Sequence, residues 1–359
     1  MKLELLKRSL FFFSTILVLQ ITHSQTLETQ IDSVLVTVFK DNIEPGGVFL
    51  VAKDGKPIYR KAFGNANLEL DVAMKPENVF QIGSMTKQFT AMAIMMLEDQ
   101  GKLKVNDAIS KYIPDYPNGK NITIHHLLTH TSGIKDFTKM KSIMTIAKKD
   151  LAPKELVDFF KGEPVDFKPG EQFSYNNSGY VVLGYIIEFV SENTYKDFIE
   201  TNIFKKLDMN NSRYASDREI VKHRAYGYHN RGEYTNKMYV SLSIPYASGS
   251  LMSTVDDMLK WQKAINNNVL VSQNTIDKVF TKYTLNNGEQ FNYGYGWHLK
   301  DIDDIPTREH GGSIFGFKSM AVYVPSLDIY VIGFSNCDCN SPTHVTKDIT
   351  ALAIKYLKK

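Results

Sequence analysis

Cysteine is nearly absent. Only Cys337 and Cys339 occur in 359 residues, both in "NCDCN". A bridge between residues two apart is expected to be strained, and two thiols alone make an incomplete metal site. The pair is therefore expected to be ordinary loop residues, which excludes a disulfide-framework scaffold. Net charge is also scarce. The formal value is +3, and Lys2, Lys7 and Arg8 against Glu4 carry +2 of it. The +1 that remains gives no basic surface for nucleic acid. Lys135, Lys139, Lys141, Lys148 and Lys149 are expected to form a solvated face. Long apolar runs are confined to "LFFFSTILVLQI" (Leu10 to Ile21), which follows the basic start. Small Thr22 and Ser24 come next. That is the anatomy of a secretory signal peptide over residues 1–24. The expected location is periplasmic or secreted, and membrane-anchored if the signal is not cleaved. No later run reaches the roughly 20 apolar residues of a spanning helix, so no stable membrane insertion is expected after cleavage.

Two motifs are missing as well. No G-x-S-x-G nucleophile elbow occurs. "HHLLTH" sets His126 and His130 four residues apart, as a helical metal pair would be, but the HExxH glutamate and a third ligand are lacking. No metal is expected.

The pattern that is present places strands at both ends of the chain. "GGVFLVAKDGKPIYRKAFG" (Gly46 to Gly64) reads as a hairpin turning at Asp54-Gly55. "GFKSMAVYVPSLDIYVIGFSN" (Gly316 to Asn336) reads as a second, around Pro325-Ser326, followed by a closing helix. Between them the periodicity is helical. "MTKQFTAMAIMMLEDQG" is apolar nearly all round, so a buried helix stopping at Gly101 is expected. "PKELVDFFKG" carries Pro153 at its start and Gly162 at its end. "GYVVLGYIIEFVSE" (Gly179 to Glu192) is a second buried helix, capped by Asn177 or Ser178. Thr194 to Asp197, Ser253 to Asp256 and Thr254 to Asp257 are capping-box patterns. The expected architecture is α/β (α+β): an antiparallel sheet built from both chain ends, flanked by helices, with an inserted helical lobe. Residues 25–359 form one domain on this view, with the sheet half at about 25–80 and 245–359 and the lobe at about 81–244.

Three constellations carry chemistry. In "QIGSMTKQFT", Ser84 and Lys87 share a helix face at i and i+3. A helix N-terminus favours developing negative charge, and a lysine in apolar surroundings can lose its proton and activate the serine. Ser132 and Lys135 repeat the spacing, but Gly133 interrupts them and no apolar helix follows. In "EQFSYNNSGY", Tyr175 is a candidate proton relay if nearby ammonium groups lower its pKa, and Asn177 a candidate for orienting a substrate amide. In "REHGGSIFGF", His310 precedes Gly311, Gly312 and Ser313. Glycines allow close backbone approach, so the Ser313 and Ser84 N–H groups could form an oxyanion hole.

Taken in order, these segments resemble the serine β-lactamase and penicillin-binding-protein superfamily, in its class C-like branch with D-amino-acid peptidases and esterases. "ITIHHLLTHTSG", "ASGSLMSTVDDMLKW" and "YGYGW" extend the likeness over most of the chain. The resemblance implies a β-lactamase-like fold and a cofactor-free serine hydrolase acting through an acyl-enzyme. Ser84, Lys87 and Tyr175 would be catalytic; Asn177, His310, Gly312 and Ser313 would bind substrate or form the oxyanion hole. Amide or ester substrates are implied, D-amino-acid peptides or small esters first, with cell-wall peptide or a β-lactam as candidate partners. β-Lactamase activity proper, or a penicillin-binding sensor acylated without turnover, stays open. One departure stands out: His310-Gly311-Gly312 occupies the place of the family's Lys-Thr-Gly. Arg308, two residues earlier on the same strand face, is a candidate for the missing charge. "YGYHNRGEYTNKMY" (Tyr226 to Tyr239) is either a pocket wall or a surface loop.

Overall fold

Asp54 and Gly55 both take positive φ, 51° and 67°, as a two-residue type I′ turn requires. They join strands Gly47–Lys53 and Lys56–Phe63. The later pair, Phe317–Val324 and Ile329–Ser335, turns through a short helical turn at Pro325–Leu327. The computed structural model describes residues 26–358; the expected signal peptide at 1–24 lies outside the described residues. One six-stranded antiparallel sheet joins the two hairpins. Its order is His298–Ile302, Ile305–Ile314, Phe317–Val324, Ile329–Ser335, Gly47–Lys53, Lys56–Phe63. The joint between chain ends runs from Gly47 opposite Ser335 to Lys53 opposite Ile329. The sheet is thus assembled from both ends, as the sequence pattern indicates, and the fold is α+β of the β-lactamase type.

Both sheet faces are covered, which explains why "GVFLVA" is apolar without interruption. Phe49 and Val51 point to one face and pack with Ile31 and Ile349 of helices Leu27–Leu35 and Thr343–Leu357. Val48 and Leu50 point to the other and join the main core with Ile332 and Phe334. That core holds helix Thr86–Asp99, buried from Thr86 to Leu97. Phe89 stacks on Trp261 of helix Val255–Asn266, with ring centroids 4.2 Å apart. The helix ends at Gln100, and Gly101 follows at φ 70°.

Several local expectations shift. Helix Asn177–Ser191 is capped by Asn176, whose side chain accepts from Gly179 N (2.9 Å). Asn177 and Ser178 are therefore free for other partners. Of the two adjacent boxes only Thr254 caps a helix, because Ser253 is paired in a strand with Phe80. His130 is not on a helix with His126: the helix is only Ile124–Leu128, and His130 sits beyond it at φ 60°. His126 Nδ1 accepts from Thr123 N as part of a helix cap. The segment Tyr226 to Tyr239 contains a small hairpin, Tyr228–Asn230 with Tyr234–Asn236. Cys337 and Cys339 are bridged, against expectation. A turn after the last strand draws their Cα atoms to 5.1 Å, inside the range a disulfide accepts.

The fully buried Asn336 ties the chain ends to this region. Its Oδ1 accepts from Gly46 N (2.7 Å), and its Nδ2 donates to the carbonyls of Asn65 (3.0 Å) and Tyr226 (2.8 Å). Asn336→Ala strands two buried backbone groups, Gly46 N and the Asn65 carbonyl, so a loss of about 2–3 kcal/mol is expected. Urea unfolding would show it as a lower midpoint at unchanged slope.

Candidate active site

Ser84 lies in a helical turn, Gly83–Met85, that feeds directly into helix Thr86–Asp99. The turn is held from both sides. Phe80 and Gln81 pair with Ser253 and Met252, and Thr86 Oγ1 accepts from Leu251 N (3.1 Å). One helical step of three residues then places Lys87 beside the serine, with Nζ 3.2 Å from Ser84 Oγ. Lys87 is fully buried. Its amine also contacts Asn177 Oδ1 and the Ser248 carbonyl, both at 2.9 Å. Those two atoms can only accept. The serine hydroxyl can donate. A neutral amine with two N–H bonds and one lone pair therefore satisfies all three partners. Burial lowers the Lys87 pKa from its ordinary 10.5 to about 7, opposed in part by the charge of Asp136.

Asn177 is oriented from behind. Its Nδ2 reaches Thr138 Oγ1 (3.2 Å) and Asp136 Oδ2 (3.5 Å). With Nδ2 so engaged, its oxygen faces the lysine.

Tyr175 lies with its ring 4.9 Å from Lys87 Nζ and 4.3 Å from the His130 ring. Its hydroxyl is buried, with no hydrogen-bond partner among the described residues. The expectation of a lowered phenol pKa fails. Burial pushes it up, and a nearby Ser84 offsets this only partly. The lysine faces the ring, not the oxygen, and is itself depleted of charge. Tyr175 is thus a protonated donor near neutrality.

His310 is buried away from the cleft. Its Nδ1 donates to the Gly311 carbonyl (2.6 Å), which leaves Nε2 to accept from the Tyr293 hydroxyl (3.2 Å). Burial, with His298 and Lys87 nearby, keeps its pKa well below the usual value. It is neutral and supports the wall behind Tyr175, 6.1 Å between ring centroids. Arg308 does not supply the missing charge either. Its guanidinium stacks 3.6 Å from the Phe280 ring centroid and lines no part of the cleft. The other serine–lysine pair is not a site: Ser132 is buried, and Lys135 bonds Asp166 at 2.7 Å.

Strand Ile305–Ile314 closes the opposite side. A Cβ on Gly312 would stand 2.0 Å from the Ile82 carbonyl, and one on Gly83 (φ 53°) would stand 2.8 Å from Ser313 N. Only paired glycines let the strand lie this close to the Ser84 turn. Ser84, Asn177, Ser248 and Ser313 all line one cleft of about 240 Å³. Ser248 was not singled out in the sequence. It acts through its main chain, in a turn where Tyr246 has φ 41°, and a backbone acceptor leaves no signature in residue type. Asp136 and Thr138 hold Asn177 from behind, and Thr138 also lines the cleft; neither belongs to a motif the sequence displays.

Comparison with known proteins gives the family. A β-lactamase family model matches residues 35–354. Penicillin-binding protein 4* of Bacillus subtilis (strain 168) is 32% identical over 293 residues, 77% of this chain and 64% of that protein. The chain thus spans less than two thirds of that relative's length. An octameric penicillin-binding protein homologue from Pyrococcus abyssi superposes with TM-score 0.78 at 31% identity, covering 91% of this chain and 77% of that one. A D-stereospecific amidohydrolase from Streptomyces sp. shares the fold, with TM-score 0.78 at 21% identity over 92% of this chain and 99% of that one. Fold, site geometry and sequence converge: the chain belongs to the β-lactamase family of serine hydrolases.

Proposed function

We propose that the protein hydrolyses amides or esters through an acyl-enzyme on Ser84, with Lys87 as base. The observation that carries this is the buried Lys87 amine, 3.2 Å from Ser84 Oγ and held by two obligate acceptors. Ser84 Oγ adds to the substrate carbonyl as its proton passes to Lys87. The N–H groups of Ser84 and Ser313 hold the oxyanion. The adduct collapses when the leaving nitrogen or oxygen takes the proton held by the Lys87 ammonium, with the Tyr175 ring packed 4.9 Å from that amine. Water then adds to the ester and gives its proton to Lys87. That proton returns to Ser84 Oγ as the acid departs. Asn177 and the Ser248 carbonyl fix the lysine; Gly312 seats the strand that carries Ser313. No step calls on a metal or an organic cofactor.

Small esters and amides, including those of N-acylated D-amino acids, fit this site better than β-lactams. No charged side chain lines the cleft among the described residues, and His310 and Arg308 are turned elsewhere. A substrate carboxylate would find little compensation there. Export of the protein belongs to the same proposal. The signal-like residues 1–24 support it, as does the Cys337–Cys339 bridge.

The test is intact mass after incubation with a penicillin, and separately with an activated ester, for the native chain and Ser84→Ala. A covalent acyl adduct with either reagent is expected on the native chain and not on the variant. Its lifetime then separates turnover from trapping. Equal hydrolysis by both proteins would remove Ser84 from the mechanism.

A further inference from the structure

The cleft beside Ser84 has two chemically different sides. Lys87 and Tyr175 do not line it. Lys87 holds the proton that the leaving atom must receive, so the leaving group lies toward this pair. The acyl body is then directed the other way, toward the end of the strand at Ile314 and the turn at Phe315. That direction is apolar: Phe137, Ile143, Met144, Val240, Ile314 and Phe315 form the walls. Met144 and Phe315 are exposed, at 57% and 39%. Exposed large apolar side chains on a cleft rim mark a place where apolar matter is taken up. The polar groups gather at the Ser84 end, as expected of a site that fixes one reacting centre and reads the rest by shape.

We infer that this cleft selects apolar, uncharged acyl groups, aliphatic or aromatic. The inference rests on the acyl-enzyme mechanism proposed above. The cleft is finite, about 240 Å³, so the gain from lengthening the acyl chain stops where the walls end. Longer chains run out into solvent. The apolar walls themselves offer no counter-charge to a carboxylate on the acyl group.

The experiment is kcat/KM for 4-nitrophenyl acetate, butyrate, hexanoate, octanoate and the monosuccinate, each corrected with Ser84→Ala. Specificity is expected to rise about fourfold per added methylene through hexanoate and to flatten near octanoate. The monosuccinate should fall below butyrate. Met144→Glu should lower the octanoate-to-acetate ratio about tenfold, the order expected for a charge against an apolar chain. Met144 lies on a short turn, Lys141–Thr145, that buries no residue, so the variant should fold. A flat series would overturn the inference and leave the hydrolase mechanism standing. So would a preference for the monosuccinate, which would point to Lys318, whose Nζ lies 2.8 Å from Ser313 Oγ. Absence of Ser84-dependent hydrolysis across the series, with no Ser84 adduct, would overturn the mechanism and the inference together.

Discussion

Lys87→Met is expected to slow acylation by about 10²–10⁴-fold, the range for loss of a positioned base, while the protein stays folded. Methionine can fill the buried volume without a charge to desolvate. The native enzyme should show the complementary pH dependence. Lys87 accepts the serine proton only when neutral, so acylation should rise with pH through about 7 and level off above. Stability should respond as well. The folded value of about 7 lies below the ordinary 10.5, so between these pH values the unfolded chain binds a proton that the folded chain does not. Stability therefore rises with pH across that window, and below it the full burial penalty is present, on the order of 5 kcal/mol. The methionine variant lacks this term. It forfeits the bonds to Asn177 Oδ1 and the Ser248 carbonyl, about 1–3 kcal/mol each, but that loss does not vary with pH. Native and variant stabilities, read by urea unfolding at pH 6, 8 and 10, should diverge steadily in favour of the native chain. Parallel curves would mean that Lys87 is not neutralised by folding, and the lysine would lose its standing as base.

The sequence shows this lysine because its partner is three residues away on a helix, the kind of proximity local geometry guarantees. Asp54-Gly55 and the apolar helix Thr86–Asp99 are legible for the same reason: the cause is local. What stays hidden depends on side chains meeting across the fold. Asn176, Asn177 and Ser178 are all sound caps, and the choice of Asn176 is made by tertiary partners. Asn176 Nδ2 reaches the Ile134 carbonyl, and Ser178 Oγ the Lys135 carbonyl. That leaves Asn177 for Lys87. The direction of the Tyr175 shift is hidden similarly, because it turns on how deeply the fold buries the hydroxyl. His310 sits in the motif at the expected position, yet Tyr293 and the Gly311 carbonyl claim both its nitrogens. A motif fixes where the chain passes. It does not fix which way a side chain faces.

Gly312→Ala is expected to cost about 10²–10³-fold in acylation, the effect of losing one oxyanion donor, although the residue itself contributes no functional group. A methyl group there would stand 2.0 Å from the Ile82 carbonyl and 2.4 Å from Ser319 Oγ. Neither neighbour can yield cheaply. The carbonyl is backbone and accepts from Ser319 Oγ (2.9 Å) and Met85 N (3.3 Å). Ser319 is held opposite Gly312 in the sheet register. Relief must come from the strand lifting off the nucleophile turn by on the order of 1 Å, with an overpacking cost of about 1–3 kcal/mol. Such a movement separates Ser313 N from Gly83 and with it the two N–H groups that face the carbonyl oxygen. A displacement of that size is enough to degrade catalysis a hundredfold. Gly311→Ala is the control: its Cβ would meet only Met320 Sδ and the Ser319 carbonyl, both at 3.3 Å, and a small adjustment accommodates it. Acylation rates and melting curves measured for both variants would separate the two positions. If Gly312→Ala acylates as fast as the native chain, the oxyanion is not held between this strand and the Ser84 turn, and its donors must be sought elsewhere along the cleft.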